Sequence, residues 1–163
     1  MKQFVLLLLI SIFSFTALSQ KAKVVRIADG DSFTVLFPDN HTERVRLHGI
    51  DCPERDQPFS NVAKQFTSSL IFGKYVTLKQ TDTDRYGRIV ALVYLADSSL
   101  LNEKFLHSGL AWHFTRYDNN PKWASFQKEA MFQKIGLWGG NEPPVAPWLW
   151  RKTIQRKSVS LSK

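Results

Sequence analysis

The sequence predicts an α+β fold, a five-stranded Greek-key β-barrel of the OB type with three α-helices. Two observations support this prediction. Alternating or apolar runs bounded by turn residues mark five strands, and helical patterns lie between the third and fourth strands and again after the fifth. This order of elements is the one expected for an OB-type barrel. The chain of 163 residues is long enough for one domain with a substantial core.

The first three strands are predicted at residues 23–27, 32–37 and 42–48. An Asp-Gly pair, Asp29 and Gly30, lies between the first two apolar runs and is a strong hairpin signal. Pro38 opens the next turn. In the third strand, Val45 and Leu47 alternate with polar neighbours, so one face of this strand should be buried.

The next elements are a helix and two further strands. Val62, Phe66 and Leu70 recur every four residues, which predicts a helix over residues 60–72, and Gly73 suits its C-terminal cap. Residues 75–81 and 88–95 read as strands. The polar, glycine-bearing segment 82–87 between them predicts a turn.

Two helices should follow the strands. The first is predicted near residues 99–108, and the second begins with Pro121 at its first position and runs to residue 135. Its buried stripe would be Trp123, Ala130 and Met131. We expect the domain to span residues 20–150. Residues 151–163 are basic and polar with little apolar content, which is typical of a disordered tail.

The first 19 residues have the composition of a signal peptide. A short basic start precedes an apolar run over residues 4–15, and small residues follow it. The run is short for a membrane span, so we expect cleavage before Gln20 and no membrane anchor. The sequence therefore predicts an exported protein, either extracellular or periplasmic, and we expect a monomer.

The net charge of the chain favours a negatively charged partner but does not identify it. The formal net charge of +8 favours a polyanion, which could be nucleic acid, an acidic polysaccharide or an anionic membrane. Cys52 is the single cysteine, so an internal disulfide is excluded.

The segment from Arg46 to Glu54 concentrates charge in a tight turn. Gly49 ends the strand alternation, and Pro53 fixes its own φ, so the turn that carries Asp51 should be rigid. A rigid turn with two carboxylates beside a strand-borne arginine could bind a cation and a phosphate together.

The chain resembles the staphylococcal nuclease (thermonuclease) family over about residues 21–138. The resemblance is carried by five stretches in the order of the family, residues 27–32, 46–54, 84–88, 102–103 with 109–111, and 136–138. It implies an OB-type barrel and a calcium-dependent phosphodiesterase that cuts DNA and RNA. In such an enzyme water attacks phosphorus and leaves a 3′-phosphate and a 5′-hydroxyl.

The candidate metal ligands are Asp31, Asp51 and the backbone carbonyl of Cys52. Calcium takes six to eight oxygens, so waters and a substrate phosphate oxygen would have to complete the shell. The alternatives are structural: Asp31 could hydrogen-bond its own hairpin, and Asp51 could be a surface turn carboxylate.

Arg46, Arg88 and Glu54 are the candidate catalytic residues. Two guanidinium groups suit the oxygens of a phosphoryl group better than two lysines do. Glu54 would orient or deprotonate the attacking water. The structural alternative pairs Arg46 with Glu54, and Arg88 with Asp84, as surface salt bridges.

Tyr86 and Tyr117 are the candidate substrate contacts, because a tyrosine can stack on a base or hydrogen-bond a phosphate. The alternative is ordinary packing in the core or at its rim. Thr115 stands where the family usually has a further tyrosine.

Two functional classes follow from these residues. The first is an exported, calcium-dependent nuclease with little sequence specificity. The second is a non-catalytic OB module that binds single-stranded nucleic acid or another polyanion, because OB barrels host many functions. A binding module has no need for the set Asp31, Arg46, Asp51, Glu54 and Arg88, so the enzyme is favoured.

Overall fold

A computed structural model describes residues 19–161 and confirms the barrel. The expected signal peptide lies outside this range except for Ser19, which begins the first strand. The barrel closes in the order β1 (Ser19–Ile27), β2 (Ser32–Leu36), β3 (Thr42–Leu47), β6 (Ile89–Tyr94) and β5 (Tyr75–Thr83), which pairs again with β1. Neighbouring strands are antiparallel except for β3 and β6, which are parallel.

The barrel interior is filled by alternate residues of these strands. Val24, Val35 and Val45 are fully buried, and each comes from a different strand. Helix α2 (Leu101–His107) adds Phe105, which is also fully buried and meets Phe66 edge to face with ring centroids 5.0 Å apart. Burial of these apolar side chains is the main stabilising contribution to the fold.

Helix α1 (Ser60–Ile71) confirms the predicted helix, and its most buried face lies one position beyond the periodic apolar residues. Ala63, Thr67 and Ile71 are buried, Phe66 and Leu70 are partly buried and pack against the core, and Val62 is exposed. The reason is the turn after β1. The Thr67 hydroxyl donates to the Gly30 carbonyl at 2.5 Å, and a Cβ added to Gly30 would lie 2.8 Å from the Cβ of Ala63. The helix therefore packs against the turn that carries Asp31 through a face made of small and polar residues.

A small second sheet supports the charged turn. Strand β4 (Ile50–Asp51) pairs with β7 (Trp112–His113), and neither strand was predicted. Gly49 precedes β4 with φ +67, and a Cβ there would lie 2.7 Å from both Asp118 and Trp123. The position requires glycine for its conformation and for the space. The backbone before Asp51 is consequently fixed.

Helix α3 (Pro121–Phe132) begins as predicted, with Asn120 accepting a hydrogen bond from the backbone nitrogen of Lys122. Trp123 and Ala130 are buried, but Met131 is exposed, so this part of the predicted stripe is wrong. The chain then forms a 3-10 helix over Gly136–Gly139.

A fourth helix, α4 (Pro147–Leu161), replaces the expected disordered tail over residues 151–161. Proline suits the first turn of a helix, where its missing N–H costs nothing. Trp148 stacks on Phe114 with ring centroids 5.0 Å apart and meets Trp112 edge to face at 5.6 Å. These tertiary contacts stabilise a helix that local composition does not indicate. Across residues 19–161, every helix is too short or too polar to cross a membrane.

Candidate active site

Two buried aspartates share one arginine at the mouth of the barrel. Arg46 donates from Nη1 to Asp31 Oδ1 at 2.7 Å and from Nη2 to Asp51 Oδ1 at 2.5 Å. Asp31 is 3% exposed and Asp51 is fully buried. The two nitrogens of one guanidinium are close together, so the two carboxylates must also be neighbours. The structural alternative required a surface salt bridge between Arg46 and Glu54. Arg46 instead pairs with the two buried aspartates.

Strand pairing explains why these side chains meet. Ser32 of β2 lies opposite Arg46 of β3 in the register, which places Asp31 beside that arginine. The backbone nitrogen of Cys52 donates to Asp31 Oδ2 at 2.9 Å and ties the turn after β4 to the hairpin. A Cβ on Gly30 would lie 2.9 Å from the Cys52 Sγ, so this glycine permits the close approach.

The electrostatics of the cluster favour an additional positive charge. Burial and the neighbouring Asp31 carboxylate raise the pKa of Asp51. Burial alone would lower the pKa of Arg46, but its contacts with Asp31 and Asp51 outweigh this effect and raise it above the ordinary value. Desolvation of the Asp29 carboxyl, followed by repulsion from the Asp31 charge, raises the pKa of Asp29 to about 7, although other parts of this residue are exposed. The Arg46 guanidinium is therefore shared by two buried carboxylates, with a third, Asp29, close to them.

Cys52 behaves as a packing residue. Its side chain is 3% exposed, and burial followed by the Asp31 charge raises the pKa of its thiol well above the ordinary value. The thiol is therefore neutral and unreactive at physiological pH. This agrees with the expectation that only the Cys52 backbone carbonyl would contribute to the site.

The donor set fits a hard divalent cation that keeps much of its own shell. Asp31 and Asp51 offer carboxylate oxygens, and the Cys52 carbonyl follows directly in the chain. Within the described part of the chain, no three side chains of His, Cys, Asp or Glu come together as a metal-binding group. A cation held here would take its remaining ligands from water and from a substrate oxygen.

Arg88 is joined to this cluster through Ser32. Its Nε donates to Asp84 Oδ2 at 2.6 Å, which is the salt bridge of the structural alternative. Its Nη1 donates to the Ser32 hydroxyl at 3.2 Å, and that hydroxyl donates to Asp31 Oδ1 at 3.1 Å. Asp84 thus orients Arg88, and the guanidinium is connected to Asp31 through the Ser32 hydroxyl.

Glu54 pairs with an arginine that the sequence reasoning missed. Arg151 of α4 donates from Nη1 to Glu54 Oε1 and from Nη2 to Asp51 Oδ2, the latter at 2.8 Å. Burial lowers the pKa of Arg151, but the pairs with Asp51 and Glu54 more than offset this and raise it. In the sequence, the only local sign of helix α4 is Pro147, which precedes a segment rich in tryptophan and basic residues. The contacts of Arg151 with Asp51 and Glu54 depend on how α4 packs against the barrel domain and are not indicated by the sequence.

Tyr86 and Tyr117 both line the groove that holds the carboxylates. They are 57% and 62% exposed, which excludes the alternative that they pack in the core. Tyr86 lies beside Arg88, whose guanidinium is 5.6 Å from the ring centroid, and Tyr117 meets Phe114 edge to face at 4.9 Å. Both rings are available to a ligand in the groove.

The groove is also rich in positive charge. In addition to the arginines at its floor, its lining includes Arg26, Arg55, Lys64, Arg85, Arg116 and Lys152. A groove of this kind attracts an extended polyanion and directs it toward the buried carboxylates.

Known proteins resemble this chain over most of its length. Residues 44–140 match the family model described as "Staphylococcal nuclease homologue". An "Uncharacterized endonuclease" of Escherichia coli is 38% identical over 146 residues, covering 88% of this chain and 94% of the relative. One of the same description from Haemophilus influenzae is 37% identical over 130 residues, covering 80% and 72%. The "Probable staphylococcal-like nuclease CAN1" of Oryza sativa is 39% identical over 109 residues, covering 67% and 32%.

Proposed function

The chain belongs to the staphylococcal nuclease family, whose substrate is nucleic acid, and we propose that it is a calcium-dependent phosphodiesterase. It would hydrolyse DNA and RNA with little sequence specificity and leave 3′-phosphate and 5′-hydroxyl ends. The observation that carries the proposal is the buried pair Asp31 and Asp51, held on Arg46, with Asp31 and Arg46 lining a basic groove.

Asp31, Asp51 and the Cys52 carbonyl would hold calcium. When bound, the cation would polarise the scissile phosphate and lower the pKa of nearby water. The aspartates suit this role because they are buried and fixed by the hairpin and by β4, so little reorganisation is needed.

Arg46 and Arg88 would stabilise the charge that develops on the phosphate oxygens. Both guanidinium groups adjoin Asp31, Arg46 directly and Arg88 through Ser32, so both would face a phosphate placed beside that aspartate. Arg88 would also stabilise the leaving 5′-oxygen electrostatically, since a guanidinium does not give up its proton.

Glu54 would orient the attacking water or accept its proton. It lies beside Asp51, because Arg151 bonds both carboxylates. The side chain is 34% exposed, so water reaches it. A carboxylate positioned in this way can act as a general base or simply fix the direction of attack.

The groove explains weak sequence preference. Its lining offers cations for phosphates and the exposed rings of Tyr86 and Tyr117 for stacking, and these contacts tolerate any base. Cleavage should therefore follow how easily strands open rather than their sequence.

We further propose that the protein is a monomer exported from the cell, either to the periplasm or to the medium. The support for export is the apolar run at residues 4–15 with its basic start and the small residues that follow. Calcium is plentiful outside cells, so a weak two-carboxylate site would be adequate there.

A non-catalytic OB module is the second candidate, and the buried aspartates argue against it. A protein that only binds polyanions gains nothing from two carboxylates buried beside its groove, and burying such charges is costly. The basic groove alone would suit such a module, so activity must decide.

Plasmid digestion tests the proposal. We expect nicking and fragmentation in millimolar calcium, loss of activity with excess EGTA, and fragments that a ligase cannot join until their 3′-phosphates are removed and their 5′-hydroxyls are phosphorylated by a kinase. An Asp51→Asn variant in the same buffer controls for contaminating nucleases. Cleavage that persists in EGTA would exclude the metal role, and tight DNA binding without cleavage would favour the binding module.

A further inference from the structure

Arg151 enters the site from outside the region that matches the family. The match ends at residue 140, whereas Arg151 lies on α4, four residues after the helix begins at Pro147. Its guanidinium bonds Asp51 and Glu54 together, which are a candidate cation ligand and the candidate base. Its position therefore bears directly on the proposed reaction.

Arg151 occupies the oxygens of Asp51 that a cation would need. Asp51 Oδ2 accepts from Arg151 Nη2 at 2.8 Å, and Asp51 Oδ1 accepts from Arg46 at 2.5 Å and from Arg151 Nη1 at 3.3 Å. An ionised carboxylate has about four acceptor positions, and three are already used. A divalent cation bound to Asp51 would also repel a guanidinium at hydrogen-bond distance.

Of the two arginines on Asp51, Arg151 is the one that can leave. The Arg46 side chain is 19% exposed and spans two buried carboxylates, whereas the Arg151 side chain is 37% exposed and starts from a helix at the edge of the groove. Trp148 anchors that helix by stacking on Phe114, so the guanidinium can move while its backbone remains in place.

A released Arg151 would still lie in the groove, beside the place where a substrate phosphate must bind. Guanidinium groups pair with phosphate oxygens as well as they pair with carboxylates. The substrate can therefore replace the contacts that the cation removes.

We propose that Arg151 couples cation binding to substrate binding. In the free protein it neutralises Asp51 and Glu54 and competes with the cation, and in the complex it pairs with a phosphate oxygen of the nucleic acid. This inference rests on the proposed function. Its consequence is that calcium binds the free protein weakly and binds much more strongly once a nucleotide is present.

Calorimetric titration of calcium, with and without thymidine 3′,5′-bisphosphate, tests the coupling. This nucleotide offers phosphates but has no phosphodiester to cleave. Replacing Arg151 should have two opposite effects. In Arg151→Gln, calcium should bind the free protein about tenfold more tightly, and the strengthening by nucleotide should fall by a similar factor, within the range typical of coupled sites.

Lys152→Gln is the matched control, because it removes the same charge from the next residue of the same helix. Lys152 lines the groove, and no salt bridge from it to a carboxylate is formed among the described residues. We expect it to leave calcium binding by the free protein within about twofold of wild type, since its effect is only long-range and screened. Arg151→Lys, which keeps the charge but loses the two-pronged contact, should fall between wild type and Arg151→Gln.

The outcomes separate the two proposals. Wild-type calcium affinity in Arg151→Gln, or an equal change of calcium affinity in Lys152→Gln, would overturn the proposed role of Arg151 without affecting the proposal that the protein is a nuclease. No calcium binding by the wild-type protein, even with nucleotide, would instead count against the proposed metal-dependent function. Thermal unfolding of each variant shows that the compared proteins are folded.

Discussion

Two arginines reach Asp51, one from the barrel and one from the C-terminal helix, and they differ in what fixes them. Arg46 lies on β3, is mostly buried, and bridges two aspartates within the strand register. Arg151 lies on α4, is more exposed, and contacts carboxylates of the charged turn only. The comparison indicates that Arg46 has a structural role in addition to its proposed catalytic one, whereas Arg151 can change its partners during function.

The largest expected effect is that of Arg46→Gln. Removing the guanidinium takes away the charge that the buried Asp31 and Asp51 share and leaves Asp51 with Arg151 alone, which should lower the free energy of unfolding by about 3–5 kcal/mol. The loss of a guanidinium that donates hydrogen bonds to the substrate phosphate should also reduce kcat/KM by about 10²–10³-fold. Urea unfolding and cleavage of a labelled oligonucleotide measure the two effects. Arg151→Gln should cost only about 0–1 kcal/mol of stability, since its guanidinium is partly solvated and the buried Asp51 keeps its pair with Arg46. Equal losses in both variants would contradict the distinction.

Glu54→Gln should reduce kcat by about 10²–10⁴-fold while KM changes little, because the carboxylate acts on water rather than on the substrate. Stability should remain near that of wild type, since Glu54 is bonded to the exchangeable arginine and is partly exposed. Steady-state kinetics on an oligonucleotide and a thermal melt provide the readouts. Near-normal kcat would mean that the residue is misassigned.

Arg88→Gln should reduce kcat/KM by about 10²-fold, since one donor to the phosphate is lost. Arg85→Gln is the matched control: it lies in the same turn and lines the groove, but its guanidinium bonds the Tyr86 hydroxyl instead of the aspartate cluster. We expect it to raise KM modestly at low salt and to leave kcat unchanged. Similar kinetics for the two variants would remove Arg88 from the reaction.

The smallest expected effect concerns Asp29, the third carboxylate at the barrel mouth. Its pKa is raised from 3.8 to about 7 in the folded protein, so the folded state retains a proton that the unfolded chain has released. Stability should therefore fall as pH rises from about 4 to about 7. Asp29→Asn removes this loss, and its melting temperature should exceed that of wild type by more at pH 8 than at pH 4.

Asp97→Asn serves as the control for this pH dependence, with all melts recorded in EDTA. Hydrogen bonds from Ser99 lower the pKa of Asp97, so its replacement should bring no gain in stability at pH 8. A pH-independent effect of Asp29→Asn would show that the Asp29 carboxyl is not perturbed by its neighbours.

The barrel could be predicted because local signals specify it, whereas Asp31 and Asp51 were identified as a pair through the resemblance to the staphylococcal nuclease family. The Asp-Gly turn, Asp29 and Gly30, indicates the hairpin, and the alternation around Val45 indicates the strand that carries Arg46. Antiparallel pairing then brings Asp31 to Arg46 without any further information. Short elements such as β4 have no periodicity of their own and could not be predicted.

The helical side of the site could not be predicted, because tertiary contacts decide it. The most buried face of helix α1 includes Thr67, which bonds the Gly30 carbonyl, a contact that apolar periodicity cannot indicate. Residues 151–161 have the composition of a tail, yet Trp148 stacks on Phe114 and Arg151 binds two carboxylates. Arg151 was therefore missed as a site residue.

Calcium binding to aspartate variants tests the central claim most directly. In the presence of thymidine 3′,5′-bisphosphate, calorimetry should show one calcium per wild-type chain. Both Asp31→Asn and Asp51→Asn should bind it at least about tenfold more weakly, because each removes an anionic ligand from a site with few of them. Asp82→Asn, an exposed carboxylate of the same groove, should bind as wild type does. Unchanged calcium affinity in either Asp31→Asn or Asp51→Asn would contradict the claim that the two carboxylates share one cation.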